Sequence, residues 1–223
     1  MITLKQIQEN QEIRALIEAG NRHLAALGYT EHGARHVGYV SRTAAAVLRA
    51  LDYSPHEVEL AAIAGWVHDV GNSINRHAHG ANGAVMLFPI LRGMDMPIDD
   101  VLAVITAVGN HEEDSGTISS AVSAALILGD KTDAHRTRVR LGQPNLDDVH
   151  DRVNYAISHS AVRVDVKDRV ICHELIMDDT SSVMEYLEIY LSRMTMCEAA
   201  ARYLGCGFDL VINGHPVNNR WKK

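Results

Sequence analysis

Six side chains of the kinds that hold transition metals recur at the ends or on the faces of predicted helices: His36, His68, Asp69, His79, His111 and Asp130. Imidazole and carboxylate suit Fe, Mn, Zn, Co or Ni. An Asp beside a His allows two metals to share the carboxylate as a bridge. Two-metal sites with a spacing of ~3.5–4 Å activate water and clamp a phosphoryl oxygen. At the centre of the set, the apolar run 61–67 delivers the pair His68-Asp69, and Gly71 follows as the expected helix stop. Neighbours on a helix point about 100° apart, so both side chains face inward only if something lies between them. Taken alone, a His-Asp pair is a helix that ends in two polar residues. The case for chemistry comes from the other histidines, of which the chain has 13.

These residues need elements to position them. Ile7, Ile13, Leu16, Ile17, Leu24 and Leu27 predict a helix over 3–27, stopped by Gly28. A second helix over 32–51 carries His32 and His36 at i,i+4, on one face. Ser54-Pro55 opens a third, with Glu57 in its first turn, running to His68-Asp69. The polar segment 72–80 holds His77 and His79. Helices over 79–91, from 97 to near His111, and over 119–134 follow, the last delivering Asp130 and Asp133. Residues 135–147 are basic and loop-like, with Arg136, Arg138, Arg140 and Gly142, and a short helix covers 148–157.

The periodicity then changes. Val162, Val164 and Val166 alternate with Arg163 and Asp165, and Val170, Cys172, Glu174 and Ile176 continue beyond Lys167-Asp168. This predicts a β-hairpin. A long amphipathic helix over 181–204 follows, then a last strand over 208–212, the turn Asn213-Gly214 and a polar tail. The expected fold is mainly α: a helical domain over 1–157 and a small α+β element over 158–223, built from an antiparallel hairpin and a long helix. A three-stranded sheet of this size leaves an edge open, which predicts a homodimer.

Composition narrows the classes. The chain has 223 residues, 47% of them hydrophobic, and a net charge of −7. That balance argues against a nucleic-acid scaffold held by a general basic field. Three cysteines without a C-x-x-C spacing argue against a disulfide framework or thiolate zinc. No apolar run approaches the ~18–20 residues of a membrane span, and the first residues lack a signal-peptide pattern. A cytoplasmic protein is expected.

The order His36-Val37, His68-Asp69-Val70-Gly71, His79-x-x-x-Gly83, His111-Glu112, Asp130-Lys131-x-Asp133 covers roughly residues 30–140, about half the chain. It resembles the HD-domain metal-dependent phosphohydrolase superfamily, in particular the multi-metal branch that includes the HD-GYP-like and YqeK-like proteins. The Gly-Tyr-Pro signature is absent, Ser115-Gly116-Thr117 standing near its place. Asn110-His111-Glu112 stands where HD-GYP proteins have His-His-Glu, and Asn72 stands where they have Lys. The resemblance implies an all-helical HD domain with two divalent ions, Fe or Mn favoured, and cleavage of a phosphomonoester, nucleotide or small phosphodiester by a metal-bridging hydroxide. It implies Asp69 as the bridge, His36, His68 and Asp130 on the first metal, and His79 and His111 on the second.

Arg35 and Lys131 join Asp69 as expected catalytic groups, offsetting charge on the phosphoryl group. His32, Asn72, Asp133, Arg136 and Arg138 are assigned to the substrate. His32 reads equally as a further ligand and as an exposed helix-terminal residue. Asp133 reads also as a hydrogen-bond partner of a ligand histidine. His77 reads as a solvated loop residue, and His173 as surface or structural. Two other classes compete: a nucleotide-binding regulatory module that holds metals without turnover, and a di-iron oxygenase.

Overall fold

The segment predicted as one helix over 3–27 forms two: α1 (Leu4–Glu9) and α2 (Gln11–Ala26). Asn10 separates them. Its backbone is extended and its side chain accepts the Ile13 N–H at 3.0 Å, so it ends one helix and caps the next. The computed structural model of the chain describes residues 2–140 and 144–218, which leaves Gly142 of the predicted loop outside the described residues. α3 (Ala34–Ala50) begins after Gly33. His32 therefore lies before the helix rather than in it, with Nδ1 donating to the Thr30 carbonyl at 2.7 Å. α4 (Pro55–Val67) opens on a reciprocal Ser54–Glu57 cap with Pro55 in the first turn.

After α4 come α5 (His79–Gly93), α6 (Ile98–Gly109), α7 (Ala121–Lys131) and α8 (Val149–Ala156). α7 stops three residues short of the predicted end. The Thr132 hydroxyl bonds back to the Leu128 carbonyl at 2.6 Å, so Asp133 sits past the helix. α3, α4 and α7 pack on one another at the centre. α4 is buried on nearly all sides, as its continuous apolar composition requires. Two glycines set how closely the three approach. A Cβ on Gly65 would lie 2.7 Å from the Ser41 backbone, and one on Gly129 would lie 2.7 Å from the Val40 carbonyl. Both crossings fall within about a turn of a proposed ligand.

The hairpin is β1 (Ile157–Asp165) and β2 (Val170–Met177), antiparallel. The long helix is α9 (Val183–Tyr203), and β3 (Gly207–Ile212) follows it. β3 pairs with β2 in parallel, so α9 is the crossover that such a pair needs. Beyond Asn213-Gly214, both at positive φ, a short β4 (His215–Pro216) turns back on β3. Among the described residues the sheet thus has four strands in the order β1-β2-β3-β4, not three. The chain is mainly helical with a small sheet, and one hydrophobic core runs from Ile7 to Ile212. Met194 lies in that core, whereas Met184 is exposed. Among the described residues no helix is long and apolar enough to cross a membrane.

One histidine of the sheet is part of the interior. His173 on β2 is fully buried, with Nε2 3.1 Å from the Ser160 hydroxyl and Nδ1 without a hydrogen-bond partner. Burial pushes its pKa down to about 3. The unfolded chain takes up this proton near pH ~6.5, so the stability tied to neutral His173 is complete above that pH. It falls as pH drops towards 3, by up to about 1.4 kcal/mol per unit. In urea titrations between pH 7 and 4, His173→Gln is expected to show a flatter dependence than wild type. Parallel profiles would refute the assignment.

Candidate metal centre

The six predicted ligands meet at one point, delivered by the ends of five helices. His36 comes from the first turn of α3, and His68 and Asp69 follow the end of α4. His79 opens α5, His111 lies just past α6, and Asp130 is in the last turn of α7. Five of the six are at most 5% exposed in their side chains, and His36, His68 and His111 are fully buried.

The carboxylate of Asp69 divides its two oxygens between two pairs of imidazoles. Oδ2 lies 3.5 Å from His36 Nε2 and 3.6 Å from His68 Nε2. Oδ1 lies 3.3 Å from His79 Nε2 and 4.0 Å from His111 Nε2. Asp130 Oδ1 completes the first group, 3.4 Å from His36 Nε2 and 3.6 Å from His68 Nε2. The other ring nitrogens are all occupied from behind. His36 Nδ1 donates to Asp133 at 2.7 Å, His68 Nδ1 to the Gly65 carbonyl at 2.9 Å, and His111 Nδ1 to the Val108 carbonyl at 2.6 Å. His79 Nδ1 lies 3.0 Å from the Arg76 carbonyl and 3.1 Å from Glu112. Each imidazole thus keeps its proton on Nδ1 and turns an Nε2 lone pair inward.

This arrangement fits a pair of cations. His36 and His68 bring their Nε2 atoms to 3.2 Å, and His79 and His111 bring theirs to 3.0 Å. Lone pair against lone pair is unfavourable without a positive charge between them. Asp69 Oδ2 is buried and has no hydrogen-bond donor among the described residues, a costly state for a carboxylate oxygen unless a cation faces it. Burial pushes the pKa of Asp69 up, but His68 and His79 outweigh it and hold the group well below the carboxylate range. Asp130 is likewise held low against burial, chiefly by Lys131. Burial, with His79 and Lys131 nearby, keeps His111 neutral.

The turn between His68-Asp69 and His79 is more exacting than a helix stop. Residues Val70–Ser73 form a 3-10 turn, and Gly71 is not at positive φ. Its Cβ would collide with the backbone of His79 and Gly83. Gly71 is therefore needed for the close approach of this turn to the start of α5, and the predicted role as a stop signal is corrected. Ala78, at φ 54, turns the chain into α5 at His79. His77, next to it, is exposed, as expected of a solvated loop residue.

The surrounding groups divide into those that face the centre and those that support it. Asp133 is fully buried behind His36 and also takes both Arg35 nitrogens, at 2.5 and 2.8 Å, and Arg138 Nη1 at 3.3 Å. The predicted substrate role of Asp133 is thereby replaced by its alternative, a hydrogen-bond partner of a ligand histidine. Arg35 is committed to that carboxylate and does not line the inner pocket. Asn72 is buried and donates to Asp69 Oδ1 at 2.8 Å, which fixes the carboxylate instead of meeting substrate. Arg136 points away, pairing with Asp178 at 3.0 Å and lying over the Tyr155 ring. It does not line the inner pocket, which corrects its expected substrate role: in the 3-10 turn Arg136–Arg138 side chains two apart point about 120° from one another, so only Arg138 faces the pocket.

Lys131, Arg138 and His32 do line the inner pocket. Lys131 is paired with Asp130 at 2.7 Å and with Glu113 at 3.2 Å, and stays charged. Burial, then Arg138, holds the pKa of His32 down, and its Nε2 accepts from Arg138 Nη2 at 2.9 Å. Two cations went unread in the sequence. Arg76 follows the 3-10 turn, and Arg193 comes from α9, paired with Glu113 at 3.2 Å and stacked over Tyr190. Arg193 lies more than 60 residues from the nearest ligand, and no local pattern links it to them. The inner pocket has about 20 Å³, room for about one water. His32, Arg76, Arg138 and Arg193 line it and also an adjoining cavity of about 300 Å³.

Asp133→Asn keeps the shape of the support and removes its charge. The variant is expected to bind metal ~10–100-fold more weakly and to lose about 3–5 kcal/mol of stability, because Arg138 is left buried without its carboxylate. Metal titration and thermal unfolding check this, and unchanged metal affinity would refute the support role.

No protein-family model matches the chain. The chain is similar to an uncharacterized protein of Methanocaldococcus jannaschii, 22% identical over 207 residues that cover 81% of this chain and 78% of the relative.

Proposed function

We propose that the protein is an HD-type metal-dependent phosphohydrolase that cleaves a phosphomonoester, nucleotide or small phosphodiester. The observation that carries this reading is the Asp69 carboxylate, which turns one oxygen to His36 and His68 and the other to His79 and His111. His36, His68 and Asp130 would hold one divalent ion, and His79 and His111 a second, with Asp69 common to both; Fe or Mn is favoured. Bound there, the ions would supply an acidified water and neutralise phosphoryl charge.

The chain's own groups account for the rest. Asn72 holds the rotamer of Asp69 through its 2.8 Å bond, and Asp133 holds His36. Lys131, a charged group beside Asp130, stabilises negative charge that builds on the phosphoryl oxygens. Arg138, steadied by Asp133 and His32, also lines the pocket and does the same. Hydrolysis forms a bond from water oxygen to phosphorus and breaks the ester P–O bond. The water's proton ends on the leaving oxygen. An inner pocket with room for about one water suits a reaction in which water is the second substrate.

Purified wild type is expected to hold two transition-metal ions per chain and to release phosphate or an alcohol from a panel of phosphate esters. Asp69→Ala is expected to lose metal and more than about a hundredfold in activity. Elemental analysis and phosphate release provide the readouts. Two bound metals without turnover on the whole panel would favour a regulatory nucleotide-binding module. A redox-active iron pair consuming oxygen would favour the oxygenase.

A further inference from the structure

The cations around the inner pocket are not equivalent. Arg35 and Arg138 share Asp133, Lys131 is held by Asp130 and Glu113, and Arg193 takes Glu113. Among the described residues no carboxylate pairs with Arg76. Its guanidinium is half-buried, 3.4 Å from His79 Nε2 through Nη1, and lies over the Tyr29 ring at 5.7 Å. The guanidinium thus stands beside an imidazole nitrogen that faces the metal centre, next to the Asp69 carboxylate but in no ion pair with it. It also sits on the boundary, lining both the inner pocket and the 300 Å³ cavity.

That cavity has two kinds of wall. Leu27 and Tyr29 give it an apolar side, and Asp148, His150 and Asn154 give it a polar end. Its volume is at the lower limit for small-molecule sites. It has room for one compact organic group that combines a ring face with hydroxyls. A guanidinium fork matches a pair of non-bridging phosphate oxygens. A monoester dianion keeps three non-bridging oxygens and a diester two, so the fork accepts either; a linear diester adds a second organic arm, more than the one compact group that about 300 Å³ holds beside Arg76.

We propose that Arg76 binds the phosphoryl group of the substrate and, with the cavity beside it, selects phosphomonoesters of a compact hydroxylated ring compound. This rests on the hydrolase reading. Arg76 moves from His79 onto the phosphoryl oxygens, and Tyr29 packs against the leaving group.

The test compares metal-loaded wild type, Arg76→Gln and Arg76→Lys. Metal content and the affinity for inorganic phosphate are measured by elemental analysis and calorimetry. KM and kcat are measured on nucleoside 5′-monophosphates, sugar phosphates and linear dinucleotide diesters. Arg76→Gln is expected to keep its metals, bind phosphate at least tenfold more weakly and raise KM, with partial recovery in Arg76→Lys. Wild type is expected to prefer monoesters, and the faster of the two monoester groups identifies the leaving group as nucleoside or sugar. Phosphate affinity unchanged in Arg76→Gln with metals intact overturns the role of Arg76, even if wild type turns over. Preference for diesters overturns the monoester selection. Arg76-dependent phosphate binding without turnover of any ester overturns the hydrolase reading and upholds the phosphate site.

Discussion

A single buried carboxylate, Asp69, imposes the strictest requirement on this structure. An ionised carboxylate taken out of water costs several kcal/mol unless opposite charge and hydrogen-bond donors surround it. Four imidazoles and the Asn72 amide are arranged about it. One oxygen has a protein donor and the other has none. The imidazoles need partners in turn, and backbone carbonyls or carboxylates satisfy each Nδ1. The result is a set of inward lone pairs and one inward charge, held from behind by Asp133, Glu112 and backbone carbonyls.

Helix contact is the means by which this set closes. Gly65 lets α4 lie against the backbone of α3 near Ser41, and Gly129 does the same for α7 near Val40. His36, His68 and Asp130 follow these crossings within about a turn. The second pair of imidazoles depends on a different contact, the 3-10 turn at Gly71 seated against His79 and Gly83. A Cβ at any of these glycines would meet backbone at 2.7 Å or less and force apart the segments that carry the ligands. The small sheet and α9 are tied to the same core, and α9 adds Arg193 to the wall of the pocket.

Much of this was legible in the chain. The alternation of apolar residues located most of the helices, and Ser54-Pro55 with Glu57 marked the start of α4 as the cap shows. The parity of Val162, Val164 and Val166 located β1. The break at Asn10 was missed because the apolar period continues across it, while the side chain bonds locally to Ile13. The parallel pairing of β2 with β3 was missed because strand direction depends on where α9 packs, which periodicity does not encode.

The sequence by itself determined the kinds of ligand, their order and their place at helix ends, because a residue's type and its position in a helical period are local properties. Only the tertiary structure decided what each charged neighbour does. Arg35, Asp133 and Asn72 carry the chemistry of substrate binding in their formulas, yet contact with His36 and Asp69 commits them to support. Arg136 and Arg138 are two residues apart and face different surroundings. Arg76 and Arg193 carry no motif, and they reach the pocket because the turn after α4 and the crossover helix α9 end their packing beside it. Direction and partnership of a side chain arise from contacts between distant segments, and those exist only once the helices have closed on one another.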